Sequence, residues 1–381
     1  MKRTILTFSI LGLIFASCSN DDDAVVTPPP TLTIPTTYTS ANFNTNAATE
    51  IGVVADLNAL TSLTNAAESD AQMNTVNAIA FPSSVQSVTL SSYATLMQGW
   101  LVEIVNAANS TDGFQNPGLG GTPAVGQEGG LLGDRLLDEN GLELEQMLQK
   151  GVFGAGLYNH AITVVNNIKN GVSGFTDSGA VDRLVAIFGA TPAFDAASDE
   201  ASQYAERRSN HTNQTGFFYD IQLNLRTAQA AMEAGSTFDT ERNAALDEFL
   251  MNWEKSNYAT VIFYCRATIN LLNEASLLAP GETNSDGETK EEILGDAMHA
   301  YAEGVAFAHG FRGISNKIIT DSEIDGILAA LLAPAGQTPT SFEFLNVTDY
   351  ETTLSQVEQN IQAIYGFTND EVSDFYTNNN L

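Results

Sequence analysis

Positive charge is scarce in this chain. Lysine and arginine number 15 against 46 aspartates and glutamates, a net charge of −31 over 381 residues. Phosphate backbones require a basic footprint, so no nucleic-acid partner is expected, and anionic lipid headgroups would repel the same surface. Because the acids are scattered, they fit a solubilising surface as well as cation attraction. Cysteine is almost missing, with Cys18 and Cys265 alone. The second sits in apolar "VIFYCRATINLL" and reads as a buried, inert thiol. Without a disulfide the fold must rest on its core, for which a chain this long suffices. No segment beyond the amino terminus offers the roughly 20 uninterrupted apolar residues that cross a bilayer. Strand signals are almost absent. So are HExxH, GxSxG, paired CxxC and a Cys/His nucleophile arrangement. The glycine-rich stretch 109–135 follows no strand and lacks a following Lys-Ser/Thr, which excludes a phosphate cradle. "TDSEIDGILAALL" (320–332) opens like a calcium loop, but Leu332 stands where a bidentate glutamate is needed.

What is present begins at the amino terminus. Lys2 and Arg3 precede an apolar run from Ile5 to Phe15, and Phe15-Ala16-Ser17-Cys18 supplies the small residues and cysteine of a lipoprotein cleavage site. Residues 1–17 are therefore expected to be a signal peptide, with Cys18 lipidated and held in the membrane by acyl chains. Removing Lys2 and Arg3, and no acid, deepens the net charge from −31 to −33. Ser19-Asn20-Asp21-Asp22-Asp23 resembles the signal that sends some Gram-negative lipoproteins to the outer face of the outer membrane; read blandly, it is a solvated spacer. Residues 18–37, with Pro28, Pro29, Pro30 and Pro35, read as an acidic, proline-rich tether that stands the folded part off the bilayer.

Residues 38–381 read as all-α, one large or two modest bundles. Apolar residues spaced three and four apart predict helices over 48–67, 91–109, 141–168, 182–190, 216–235, 239–276, 289–311, 321–333, 349–365 and 369–376. Thr289 with Glu291 and Glu292 predicts a capped start. The long helices 239–276 and 289–311, joined by a polar turn, are expected to pack antiparallel. The soft stretch 109–135 is long enough to lie across a cleft or simply to join two helices.

Chemistry concentrates in "HAYAEGVAFAHGF" (299–311). On a helix His299 and Glu303 stand about 40° apart and His309 about 280° round, in an arc shared with Gly295, Ala302, Ala306 and Gly310. That predicts a groove floored by small side chains. Histidine and carboxylate at i, i+4 suit metal ligation, and also suit a polar stripe that satisfies itself across one turn. A metal would need ligands from another segment. His160 in "LYNHAITVV" is the expected one, followed by Glu143 and Glu145. The expected ligand-binding set is thus His299, Glu303, His309, His160 and Glu145, with His299 and Glu303 the candidates for metal. His211, in a polar stretch, is expected in solvent, and Arg207 and Arg208 are expected to balance nearby acid.

Three stretches carry a resemblance: "GLELEQMLQKGVFGAGLYNHA", "LVAIFGATPAFD" and "HAYAEGVAFAHGFR". They resemble a group of Gram-negative surface lipoproteins catalogued as a domain of unknown function, over most of residues 38–376. That group is similar to imelysin, an all-helical two-bundle family. The resemblance implies an imelysin-like bundle and a place in outer-membrane acquisition of iron, another divalent metal or a chelate, alongside an outer-membrane receptor. The Gly-x-His-x-x-Glu motif of imelysin has its nearest counterpart in His299 and Glu303, one residue further apart, with Gly295 displaced. The expected function is a non-enzymatic binding or accessory lipoprotein. The alternatives are a metal-dependent peptidase using His299 and Glu303, and a helical protein-interaction module without a ligand.

Overall fold

A helix that is apolar on one stripe lies on a core, and one that is apolar all round runs through it. The 38 residues Asp239–Ser276 are of the second kind. Their buried positions circle the axis and include Leu246, Trp253, Tyr258, Ile262, Cys265 and Ile269. The computed structural model describes residues 30–70, 77–110, 128–195, 200–279, 281–346 and 349–378, of which Thr33–Leu381 belong to one unit. The expected signal peptide, Cys18 and most of the tether lie outside the described residues, as do residues 111–127 of the glycine-rich stretch.

The protein is mostly helical. In chain order come α1 (Phe43–Asn46), α2 (Ala48–Asp70), α3 (Ser83–Val88) and α4 (Ser91–Ala108). A hairpin follows, β1 (Gly130–Leu132) paired antiparallel with β2 (Arg135–Leu137). After α5 (Leu144–Val152) a π-helical segment (Phe153–Tyr158) leads straight into α6 (Asn159–Lys169). Then come α7 (Gly179–Ile187), α8 (Ala201–Arg207) and a second hairpin, β3 (Ser209–Asn210) with β4 (Thr215–Gly216). The rest is α9 (Phe217–Ala234), α10 (Asp239–Ser276), α11 (Lys290–His309), α12 (Asp321–Ala330), α13 (Tyr350–Tyr365) and α14 (Asn369–Phe375). Among the described residues no helix is long and apolar enough to cross a membrane.

Packing centres on α10, most extensively against α11 and α9. The α10–α11 pair is antiparallel. Tyr258 Oη donates to Ala308 O, Tyr264 stacks on Phe307 with ring centroids 5.9 Å apart, and near the turn Lys290 Nζ donates to Leu278 O. The polar turn sets this up, because Thr289 caps α11 with a full capping box to Glu292. Thr320 with Glu323 and Thr368 with Glu371 do the same for α12 and α14. What resembled a calcium loop is thus a capped helix.

Two features break the expected pattern. Residues 144–169 are helical throughout, as expected, but not as one regular α-helix. The π segment falls where Gly151, Gly154 and Gly156 remove side chains, and there the backbone meets the end of α11. A Cβ on Gly310 would collide with the carbonyl of Gly151, and one on Gly154 would sit 2.7 Å from the Gly310 carbonyl carbon. The second feature is the β1–β2 hairpin inside the glycine-rich stretch, where Leu132 O lies against Gly295 of α11. Its three-residue strands are too short to show a period-two pattern.

Buried acids fasten the loops. Glu254 accepts the backbone N–H groups of Ile318 and Ile319 and the hydroxyl of Tyr365, at 2.8–2.9 Å. Asp182 accepts from Tyr38, Ser40 and Asn46 at 2.6–2.7 Å, tying the first structured residues to α7. Cys265 is buried, and burial pushes its thiol well above the ordinary range.

Candidate functional site

A polar cavity of about 460 Å³ opens where α2, β2, α5, α8, α10 and α11 meet. Polar side chains from distant segments line it, and the α11 contribution follows from helical spacing: His299 and Glu303 sit one turn apart on one side. His299 Nε2 is 3.7 Å from Glu303 Oε2, while its Nδ1 lies 2.8 Å from Oε2 of Glu143, the residue just before α5. Glu143 is 1% exposed and His299 25%. Two turns further along α5, Lys150 Nζ stands 3.6 Å from Glu303 Oε1, and the Tyr204 hydroxyl donates to the same oxygen at 3.4 Å. Lys150 also lies 5.2 Å from the ring centroid of Tyr204, and the Arg207 guanidinium is 5.1 Å from the same centroid.

The electrostatics follow from burial and pairing. Burial alone would lower the His299 pKa, but the charge and hydrogen bond of Glu143, with the charge of Glu303, raise it to about 9. His299 is therefore an imidazolium at neutral pH. Glu143 shows the reciprocal effect: burial opposes it, yet His299 and Arg135 hold its carboxyl below the usual range. Glu145 behaves oppositely. Burial pushes it up to about 8 despite the pull of Lys150. Glu68 of α2 is raised by burial to about 7. Lys150 is buried, but Tyr204, Glu303 and Glu145 around it keep its ammonium charged. The cavity thus alternates Lys150, His299, Arg135 and Arg207 with Glu143 and Glu303, and adds two carboxyls that hold protons near neutral pH.

Of the expected residues, the structure brings His299, Glu303 and Glu145 to this cavity and places the other two elsewhere. His160 Nε2 binds Glu50 Oε1 at 2.8 Å, and Arg183 shares that oxygen at 2.7 Å. Glu50 is fully buried, so His160 completes an ion cluster between α2, α6 and α7. His309 turns toward α4, with its ring centroid 5.4 Å from that of Tyr93 and 6.1 Å from that of Trp100. The expected shared groove failed because a helical wheel shows angle and hides height. Ten residues separate His299 from His309 by about 15 Å along the axis. His211 is half-buried, bonded to the Tyr219 hydroxyl at 2.8 Å. Arg207 lines the cavity, while Arg208 is buried over the Phe263 ring.

Sequence reasoning missed Lys150, Tyr204, Arg207, Arg135 and Glu68. Lys150 and Arg207 left a signal, as cations in a chain with few of them.

The donor set does not fit a bare metal ion. A protonated imidazole offers no lone pair, and an ammonium stands beside the carboxylate that would join it. Among the described residues no group of three His, Cys, Asp or Glu is arranged to hold a metal. Compared with protein-family models, curated proteins and solved structures, the chain matches none of them.

Proposed function

We propose that this chain is an imelysin-like, lipid-anchored binding protein of the outer-membrane surface, whose cavity takes a small ligand bearing its own anionic oxygens. A metal chelate fits that description, and acquisition of iron or another metal in chelated form is the role it would serve beside a receptor. Support for the address comes from Phe15-Ala16-Ser17-Cys18 and the acids that follow. The observation that carries the ligand reading is the set of cationic groups, Lys150, Arg207, Arg135 and the His299 imidazolium, around one polar cavity of about 460 Å³. Guanidinium and ammonium donors recognise carboxylate and similar oxygens. They would repel a free dication.

Calorimetric titration with ferric citrate, citrate alone and ferrous or zinc salts separates the possibilities. The chelate should bind in the micromolar range and Arg207→Gln should weaken it about tenfold. Binding of the bare ions with no uptake of the chelate would end this reading, as would an Arg207→Gln protein that binds the chelate unchanged.

A further inference from the structure

The polar cavity around His299 differs from an ordinary ligand pocket in its wall. Pockets of roughly 300–1,000 Å³ are lined mostly by apolar and aromatic side chains, with a few polar groups that fix orientation. At about 460 Å³ this one has the usual size and the opposite lining. Among the described residues no aliphatic side chain and no phenylalanine, tryptophan or methionine lines it. Its rings are those of Tyr204 and Tyr264, and both are already covered. Tyr204 is 4% exposed, with Phe307 and Phe153 at centroid distances of 4.9 and 5.9 Å and with Lys150 and Arg207 beside it. Tyr264 is 7% exposed and stacks on Phe307. With so little ring surface left, neither offers a face on which a ligand ring can stack.

The rest of the wall offers two kinds of hydrogen-bonding group. Lys150, Arg135, Arg207 and His299 supply charged donors. Thr61, Asn65 and Ser69 of α2, with Gln146 and Gln149 of α5, supply neutral amides and hydroxyls, and Asn65 and Ser69 are exposed. Cations match carboxylates, whereas amides and hydroxyls, which both give and accept, match hydroxyl groups. A hydrocarbon or aromatic surface laid on this wall would strip water from these groups and pair them with nothing.

We propose that the ligand is the metal chelate of an aliphatic hydroxycarboxylate, and that the cavity selects it against catechol-based chelates and haem; this rests on the reading of the site as one for anionic oxygens. Carboxylate oxygens of such a chelate pair with Arg135, Arg207 and Lys150. Its hydroxyl and outer carboxylate oxygens find the amides and hydroxyls of α2 and α5. It has no ring or hydrocarbon face to bury, and the cavity has no surface that would bury one.

The test titrates the full-length chain calorimetrically with ferric citrate, with the ferric complex of a hexadentate tris-catechol, and with haem. Both ferric complexes are anionic, so the difference between them reads the wall and not the net charge. Ferric citrate should bind at least tenfold tighter than either aromatic ligand. Asn65→Leu/Ser69→Ala puts hydrocarbon on an exposed part of the wall and should weaken ferric citrate about fivefold, with circular dichroism checking that the variant is folded. The ranking of the three ligands by the parent chain decides the matter even if that variant does not fold. A tris-catechol complex or haem bound as tightly as ferric citrate overturns the proposal and leaves the anionic reading of the cavity standing. So does a folded variant that binds ferric citrate unchanged. If none of the three is bound, the proposal and that reading fall together.

Discussion

Helix α11 carries two histidines ten residues apart, and the protein treats them in opposite ways. His299 is a quarter exposed, touches two carboxylates and is held charged. His309 is more deeply buried, packs on aromatic rings and is held neutral. The residue type and the helix are the same, so environment alone sets the charge. The lesson extends to the cavity beside His299, where the acids are answered by Lys150, Arg135 and Arg207.

The most damaging change should be Gly310→Val. Its Cβ would enter the carbonyl of Gly151 and part α5 from α11, helices that line the polar cavity. A loss above about 3 kcal/mol is expected, because backbone must move to admit the side chain. Chemical denaturation would measure it, and an unchanged midpoint would mean the two helices need not touch.

Next comes Glu143→Gln. It takes from His299 the buried carboxylate bonded to Nδ1 and leaves Arg135 paired with Asp296 alone, for a loss of about 3 kcal/mol. His299 should then titrate well below its value near 9, while His309 should not move. With four histidines in the chain, their proton or nitrogen resonances can be followed one by one in an NMR pH titration.

Stability against pH should separate the two rings. His299 has a raised value, so the stability it contributes is complete below about 6.5 and drains as pH rises through about 9. Glu145 and Asp138, raised from 4.5 to about 8 and from 3.8 to about 7, act in the same sense, and what their protonated forms contribute drains over those intervals as pH rises. His309 has a depressed value, so its cost appears as pH falls from about 6.5 through about 4. Melting temperature should therefore fall on both sides of a slightly acid optimum. His299→Gln should flatten the alkaline limb by on the order of 2 kcal/mol, and His309→Gln the acid limb alone. Two limbs unaffected by either substitution would refute the contrast.

Smallest in stability is Glu103→Gln, expected within about 0.5 kcal/mol of the parent because the residue is largely in contact with solvent.

Much of the helical framework was legible in the residues, and the reasons are local. Asp239–Ser276 was read to its ends from apolar spacing, and Thr289 with Glu292 marked the beginning of α11. The neighbourhood of His299 and Glu303 was legible because one helical turn fixes it, and Glu143 and Glu145 could be suspected from their place in an apolar segment. The break at Phe153–Tyr158 was not, since it arises where two backbones meet, Gly151 against Gly310. Nor were the short α3 and α8, or hairpins of two and three residues, which carry too few positions to show a period.

The sequence by itself determined the charge balance, the lack of any disulfide framework, the helical period and the caps, because each depends on composition or on residues within a few positions of one another. Only the tertiary structure decided which acid each histidine is bonded to: Glu143 for His299 and Glu50 for His160. Those partners lie more than 100 residues away in the chain, and a contact across that distance depends on how whole helices pack, which no local spacing records.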